Sequence, residues 1–322
     1  MVSAGRSCST AMDQALRYAN EGYKWVDLDL AKFFDTVNHS KLLQVLSERV
    51  KDRRGIRLIH RMLRAPVSVD GKVEQREIGT PQGGPVSPVL ANILLNELDQ
   101  ELTRRGHRFV RYADDMMIFC GSKKAAYHAL EEIKPFIEGK LFLKINVDKT
   151  KVRSIGSPDV KFLGFGFWIQ RKGNGVSIVR DRPHKKSRDK CLSKLKELTS
   201  RSRGQSLDAF RRKLKAYIYG WIGYFGRSSM AKFALRTDEW LRRRIRQIYW
   251  KQWKRISTRY KALRILGIEE ELAWQWANTR KASWRISNSR VLAQSLTNDF
   301  LLSKGWVSLT AVYHARQRLV QP

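Results

Sequence analysis

Near Ser187 the hydrophobic pattern of this 322-residue chain changes period, and that change constrains the fold more than any single residue does. Upstream, short apolar runs and two-residue alternations are mixed with helical stretches. Downstream, Leu207, Phe210, Leu214, Ile218, Trp221 and Phe225 recur at helical spacing. An α+β body followed by an all-helical part is expected. The boundary falls in the Arg-, Lys-, Ser- and Gly-rich stretch 181–205, giving domains of 1–185 and 186–322. Charge divides the chain in a similar way. Through Thr150 there are 24 Lys and Arg against 19 Asp and Glu, a net of +5; beyond it there are 39 against 11, a net of +28. The second part also holds nine of the ten tryptophans. Dense positive charge interleaved with aromatic rings suits phosphate contact and base stacking, so a polyanionic partner is expected.

Other features narrow the class. A hydrophobic content of 42% excludes wholesale disorder. No run approaches the roughly 18–20 apolar residues of a membrane span, and the first thirty residues lack a signal-peptide block, so no membrane partner is expected. Cys8, Cys120 and Cys191 are too scattered for a disulfide framework or zinc knuckle, which favours a reducing, cytoplasmic setting.

The first part reads as follows. Tyr23 to Leu30 alternates as a half-buried strand, with Asp27 and Asp29 on its polar face. Leu42 to Leu63 is helical with a break near Gly55, and Val67 to Glu77 is a hairpin around Asp70-Gly71. The loop from Gly79 to Pro85 feeds a helix that Ser87 caps, with Pro88 at its first position and Leu90, Leu94, Leu98 and Leu102 as its buried stripe. Arg108–Tyr112 and Met116–Cys120 are apolar strands, so Ala113-Asp114-Asp115 forms a hairpin tip. A helix from Lys123 to Lys134 is stopped by Pro135. An alternating segment from Leu141 to Val147 follows, then a hairpin of Lys161–Ile169 with Val176–Val179.

Carboxylates at the end of one strand and at the tip of a neighbouring hairpin can converge. Asp29, Asp114 and Asp115 meet that description. Clustered acids repel one another unless a hard cation neutralises them, and oxygen ligands suit Mg²⁺. Two such ions about 3.5–4 Å apart serve in-line phosphoryl transfer. An isolated Asp-Asp pair is more often a solvated turn, so the surrounding pattern has to decide.

That pattern is an ordered series. Asp29-Leu30-Ala31-Lys32-Phe33-Phe34-Asp35 precedes Gly79-Thr80-Pro81-Gln82-Gly83-Gly84-Pro85-Val86-Ser87-Pro88, which precedes Tyr112-Ala113-Asp114-Asp115. Leu143-Lys144-Ile145-Asn146-Val147-Asp148-Lys149-Thr150 and Lys161-Phe162-Leu163-Gly164-Phe165 follow. In these motifs the chain resembles the reverse transcriptases of group II introns. The resemblance implies a right-hand polymerase palm with partial fingers and a helical thumb and maturase domain. It also implies RNA-directed DNA polymerase activity that uses an RNA template, a DNA primer and deoxynucleoside triphosphates.

Roles follow from the resemblance position by position. Asp29, Asp114 and Asp115 would bind two Mg²⁺ ions with help from the Leu30 carbonyl. Phe34 would be the gate that excludes a ribose hydroxyl, Gln82 and Gly83 with Gly84 would let the backbone approach template and nucleotide, and Lys149 would stand near the departing pyrophosphate. Phe162, Leu163 and Gly164 resemble the primer grip. Residues 206–255 resemble the maturase-specific region, with Leu241, Ile245, Ile248 and Trp253 as core. Arg211, Arg212, Lys215, Arg242, Arg243, Arg246 and Lys251 are then candidates for contact with group II intron RNA. Beyond Cys191 there is no cysteine, so the family's optional His- and Cys-bearing nuclease is not expected. The first palm strand comes about twenty-five residues into the chain, so the family's fingers pattern is represented only in part. Two other readings stay open: a catalytically impaired, N-terminally shortened maturase or RNA-binding remnant, and an RNA-templated RNA polymerase.

Overall fold

The computed structural model describes residues 7–26, 36–69, 72–74, 77–80, 84, 86–145, 150, 152–173, 175–200 and 206–320. The chain divides into two compact units, Met1–Asp181 and Arg182–Pro322.

In the first unit α1 (Cys8–Asn20) leads to β1 (Trp25–Val26), α2 (His39–Arg49), α3 (Arg53–Leu63) and a hairpin of β2 (Val67–Val69) and β3 (Lys72–Glu74). Then come α4 (Ser87–Arg104), the hairpin of β4 (Arg108–Tyr112) and β5 (Asp115–Cys120), α5 (Lys123–Pro135), β6 (Arg153–Ser154), and the pair β7 (Phe165–Arg171) and β8 (Ser177–Pro183). The main sheet has the order β4-β5-β1-β6. Central β5 is buried along both faces from Met116 to Cys120. Met116, Ile118 and Cys120 enter a core with Leu90, Leu94, Leu98 and Leu102 of α4 and with Ala126, Ala129 and Ile133 of α5. On the opposite face Phe119 meets Tyr18 of α1, ring centroids 5.6 Å apart. A strand covered by helices on both sides must be apolar throughout, which is why Met116–Cys120 is a continuous run. Burying each leucine of the α4 stripe contributes about 1.5–3 kcal/mol.

Three local expectations shift. The break in the second helical stretch lies at Val50–Asp52, because Asp52 caps α3 by accepting from the Arg54 amide at 2.8 Å; Gly55 sits inside that helix. Ser87 is already helical, and Val86 occupies the cap position without a side-chain bond. Pro135 is the last residue of α5 and does not stop the helix at Lys134. It lacks the amide that would continue the ladder, and the chain widens into a π turn over Phe136–Lys140, closed by Leu141 N–H to Phe136 O at 3.1 Å. Of the Leu141–Val147 segment, Leu141, Leu143 and Ile145 are buried with exposed Phe142 and Lys144 between them, as an alternating segment requires, and Ile145 is a β-bridge residue; Asn146 and Val147 lie outside the described residues.

The second unit is helical beyond β8: α6 (Lys185–Leu198), α7 (Leu207–Phe225), α8 (Ala231–Gln252), α9 (Ile256–Ile265), α10 (Glu270–Ala277), α11 (Ser283–Ile286), α12 (Arg290–Ser295), α13 (Asn298–Ser303) and α14 (Leu309–Val320). Phe210, Leu214, Ile218 and Phe225 are buried as their spacing predicts, Ile222 joins them, and Leu207 and Trp221 are half-buried. On α8 Leu241, Ile245 and Ile248 are buried. α14 packs on both α7 and α8. Its start is fixed by the buried Asp238, whose carboxylate accepts from the Leu309 amide (2.7 Å), the Thr310 amide (2.8 Å) and the Ser308 hydroxyl (2.6 Å). A carboxylate at a helix N-terminus satisfies amides that have no intrahelical partner. No helix among the described residues is long and apolar enough to cross a membrane.

Candidate active site and nucleic-acid interface

The acidic hairpin tip is well defined. Tyr112 pairs with Asp115, which leaves Ala113 and Asp114 as a two-residue turn. Ala113 alone of the two has positive φ, +55°, the pattern of a type II′ turn. Such a backbone costs an L-residue about 1–2 kcal/mol, so its surroundings must hold it. Arg111 does so. Its buried guanidinium donates from Nε and Nη2 to both carboxylate oxygens of Asp99 on α4, at 2.7 and 2.5 Å. Its Nη1 donates to Asn92 Oδ1 and to the Ala113 carbonyl, each at 2.9 Å. The side chains of Asp114 and Asp115 are thereby presented to solvent at the end of a strand rooted in the core. Beside them, Tyr112 hydrogen-bonds the Cys8 thiol, which holds its phenol above the ordinary pKa.

β1 runs antiparallel to β5, with Trp25 opposite Cys120 and Val26 opposite Phe119. The C-terminal end of β1 therefore points along β5 toward Asp114 and Asp115. Asp29, Leu30, Phe34, Gln82, Gly83 and Lys149 lie outside the described residues. The segments that adjoin two of their motifs are visible and meet. Asn38 bridges Ile78, the Gly79 amide donates to Val37 O at 2.8 Å, and His39 Nε2 lies 2.6 Å from Gly79 O. The stretch after the Asp29 motif is thus fastened to the entry of the Gly79–Pro85 loop. Gly79, with φ +83°, occupies the left-handed region there.

Phe162, Leu163 and Gly164 form a tight turn. Phe162 and Phe165 exchange amide-to-carbonyl bonds of 2.9 and 2.8 Å around Leu163 (φ +49°) and Gly164 (φ +82°). Positive φ at both central positions is type I′, which favours Asn-Gly; a leucine in the first place is strained. Phe162, Phe165 and Phe167 are fully buried and anchor the turn.

As for a metal, Asp114 and Asp115 offer the hard oxygen donors that a magnesium-type ion takes. Among the described residues no group of three or more His, Cys, Asp or Glu is placed to hold a metal ion. Those two acids would supply part of a carboxylate site, with its further donors drawn from other residues.

In the second unit the basic candidates separate. Arg212, Lys215 and Lys251 are exposed, and the Lys215 ammonium lies 5.8 Å from the Tyr219 ring. Arg211 is tied to Asp208 and the Lys304 carbonyl. Arg243 stacks on Trp284 at 3.9 Å and donates to its carbonyl at 3.1 Å, and Arg246 donates to Leu296 O at 3.1 Å. Burial, with the nearby charge of Arg242, lowers the Arg246 pKa. The expectation that Arg243 and Arg246 stay free on the α8 surface is corrected: both brace the helices that follow. Arg242 is half-buried. Arg111, Asp99, Asn92 and His39 escaped sequence reasoning, since their significance depends on partners remote in sequence.

Comparison with known proteins decides the family. Residues 2–167 match the profile described as reverse transcriptase (RNA-dependent DNA polymerase), and residues 188–267 match the group II intron maturase-specific domain. The chain belongs to the reverse transcriptase family. Its group II intron branch is shown by the second match and by relatives of that kind. The chain is 31% identical over 206 residues to Protein YkfC of Escherichia coli K12, which covers 53% of this chain and 54% of that one. It is 27% identical over 233 residues to the group II intron-encoded protein LtrA of Lactococcus lactis subsp. cremoris, covering 52% and 39%. Telomerase from Candida albicans in complex with a fragment of telomeric RNA shares 14% identity at a TM-score of 0.42, over 87% of this chain and 53% of that one, too low a likeness to argue from. The chain spans about half or less of the length of the curated relatives it matches.

Proposed function

We propose that this chain is an RNA-directed DNA polymerase that also binds group II intron RNA to assist splicing and mobility. The observation that carries the reading is the pairing of β1 with β5, which directs the strand leading into the Asp29 motif toward the Asp114–Asp115 turn. Asp29, Asp114, Asp115 and the Leu30 carbonyl would hold two Mg²⁺ ions. The chemistry those ions supply when bound is activation of a primer hydroxyl and neutralisation of the departing pyrophosphate. The chain's own residues orient the reactants. Gln82 and Gly83 lie against template and nucleotide, Phe34 excludes a ribose hydroxyl, Lys149 stands at the pyrophosphate, and the Phe162-Leu163-Gly164 turn supports the primer end. Arg212, Lys215, Lys251 and half-buried Arg242 meet phosphates of intron RNA. The domain division 1–185 and 186–322 is proposed as the boundary between the two activities.

Primer extension on an RNA template tests this directly. Asp114→Ala and Asp115→Ala should each lower the rate about a hundred- to a thousandfold, as loss of transition-state charge stabilisation does. Full activity in Asp114→Ala refutes the polymerase assignment. Intron RNA binding without nucleotide incorporation by the unmodified chain would leave a maturase whose palm is a scaffold.

A further inference from the structure

The Arg111 side chain is 6% exposed, and four hydrogen bonds engage its guanidinium, yet it lies on the strand leading directly into the acidic turn. A structural ion pair would need only Asp99. The additional bond to the Ala113 carbonyl grips the planar peptide that joins Ala113 to Asp114, and Ala113 is the residue held at φ +55°. Fixing that oxygen fixes the plane from which the Asp114 side chain departs. The same guanidinium nitrogen reaches Asn92, whose Nδ2 donates to the Pro88 carbonyl at 2.9 Å in the first turn of α4, next to the Gly84 loop. One buried arginine therefore ties the acidic turn to the helix that follows the loop proposed to meet the nucleotide.

We infer that Arg111 is a positioning residue: through its fork on Asp99 and its bond to Ala113 O, it holds Asp114 and Asp115 in the geometry that binds a divalent cation. The inference rests on the reading of these two acids as metal ligands. Lysine can keep the charge opposite Asp99 but lacks the planar fork that grips three acceptors at once. Supporting bonds behind metal ligands are typically worth a factor of ten to a hundred in affinity.

The test measures Mn²⁺ binding to the full chain by electron paramagnetic resonance, beside thermal unfolding and nucleotide KM and kcat in primer extension. Arg111→Lys should weaken Mn²⁺ binding about tenfold and lower kcat, with nucleotide KM unchanged and the unfolding midpoint within a few degrees. Asp99→Asn, which preserves shape, should weaken Mn²⁺ binding about tenfold, and it decides the matter if Arg111→Lys does not fold. Wild-type Mn²⁺ affinity in a folded Arg111→Lys or Asp99→Asn variant overturns the inference alone. Absence of Mn²⁺ binding sensitive to Asp114→Asn in the unmodified chain overturns the metal reading, and the inference with it.

Discussion

His39 Nε2 lies 2.6 Å from the carbonyl oxygen of Gly79, buried at the junction between α2 and the glycine-rich loop. At that distance the imidazole donates and the carbonyl accepts, so Nε2 carries the proton. His39→Ala leaves a buried carbonyl without this donor and should cost about 1–3 kcal/mol, measured by urea unfolding. Gly79→Ala should cost about 1–2 kcal/mol through its left-handed backbone. Both should also raise nucleotide KM if the loop meets the substrate as proposed. An unchanged urea midpoint in His39→Ala would show that the hydrogen bond contributes nothing.

Leu163 holds φ +49° in a turn whose first central position favours asparagine. Leu163→Asn should stabilise the protein by about 1 kcal/mol while impairing extension of a primer, since the leucine has no conformational reason to be there. Gains in both stability and activity would remove the primer-grip reading.

Gly220 and Gly223 lie inside α7, exposed, and a β-carbon on either would meet open space. Gly220→Ala and Gly223→Ala should each stabilise the protein by about 0.5–1 kcal/mol in thermal or denaturant melts. Arg212→Ala and Lys215→Ala on the same helix should leave stability unchanged. For single-stranded intron RNA, every phosphate that these side chains no longer neutralise should make the slope of log affinity against log salt shallower by about 0.7. An unaltered slope in the double variant would exclude this helix from the interface.

Burial pushes the Cys191 thiol up to about 11, and burial with the adjacent Cys191 raises the Tyr217 phenol as well. Both groups keep their protons longer folded than unfolded. The Cys191 contribution is fully present below about pH 9 and is lost as pH rises from there through about 11, and that of Tyr217 is lost at higher pH still. The thermal midpoint should fall across that window, and by less in Cys191→Ala. Equal falls in the two proteins would contradict the burial.

Elements whose pattern repeats were legible in the sequence. The α4 stripe of Leu90, Leu94, Leu98 and Leu102 and the α7 stripe around Leu214 and Ile218 recur at helical spacing because one face is buried. The Tyr112–Asp115 tip was visible because apolar strands flank it. Single boundaries were less legible. Pro135 gives way to a π turn, and the break before α3 follows the Asp52 cap, because hydrogen bonds to specific neighbours override local preference.

The order of the motifs and the distribution of charge, both properties of the chain read linearly, determined the family and the kind of partner this protein should have. Which cations are committed elsewhere was decided by tertiary structure: Arg243 stacks on Trp284, Arg246 bonds Leu296, and Arg111 reaches from a strand to Asp99 and back to Ala113. An arginine looks the same in sequence whether its fork meets a phosphate, a carboxylate or a carbonyl. Only the fold sets which acceptor lies within about 3 Å of it.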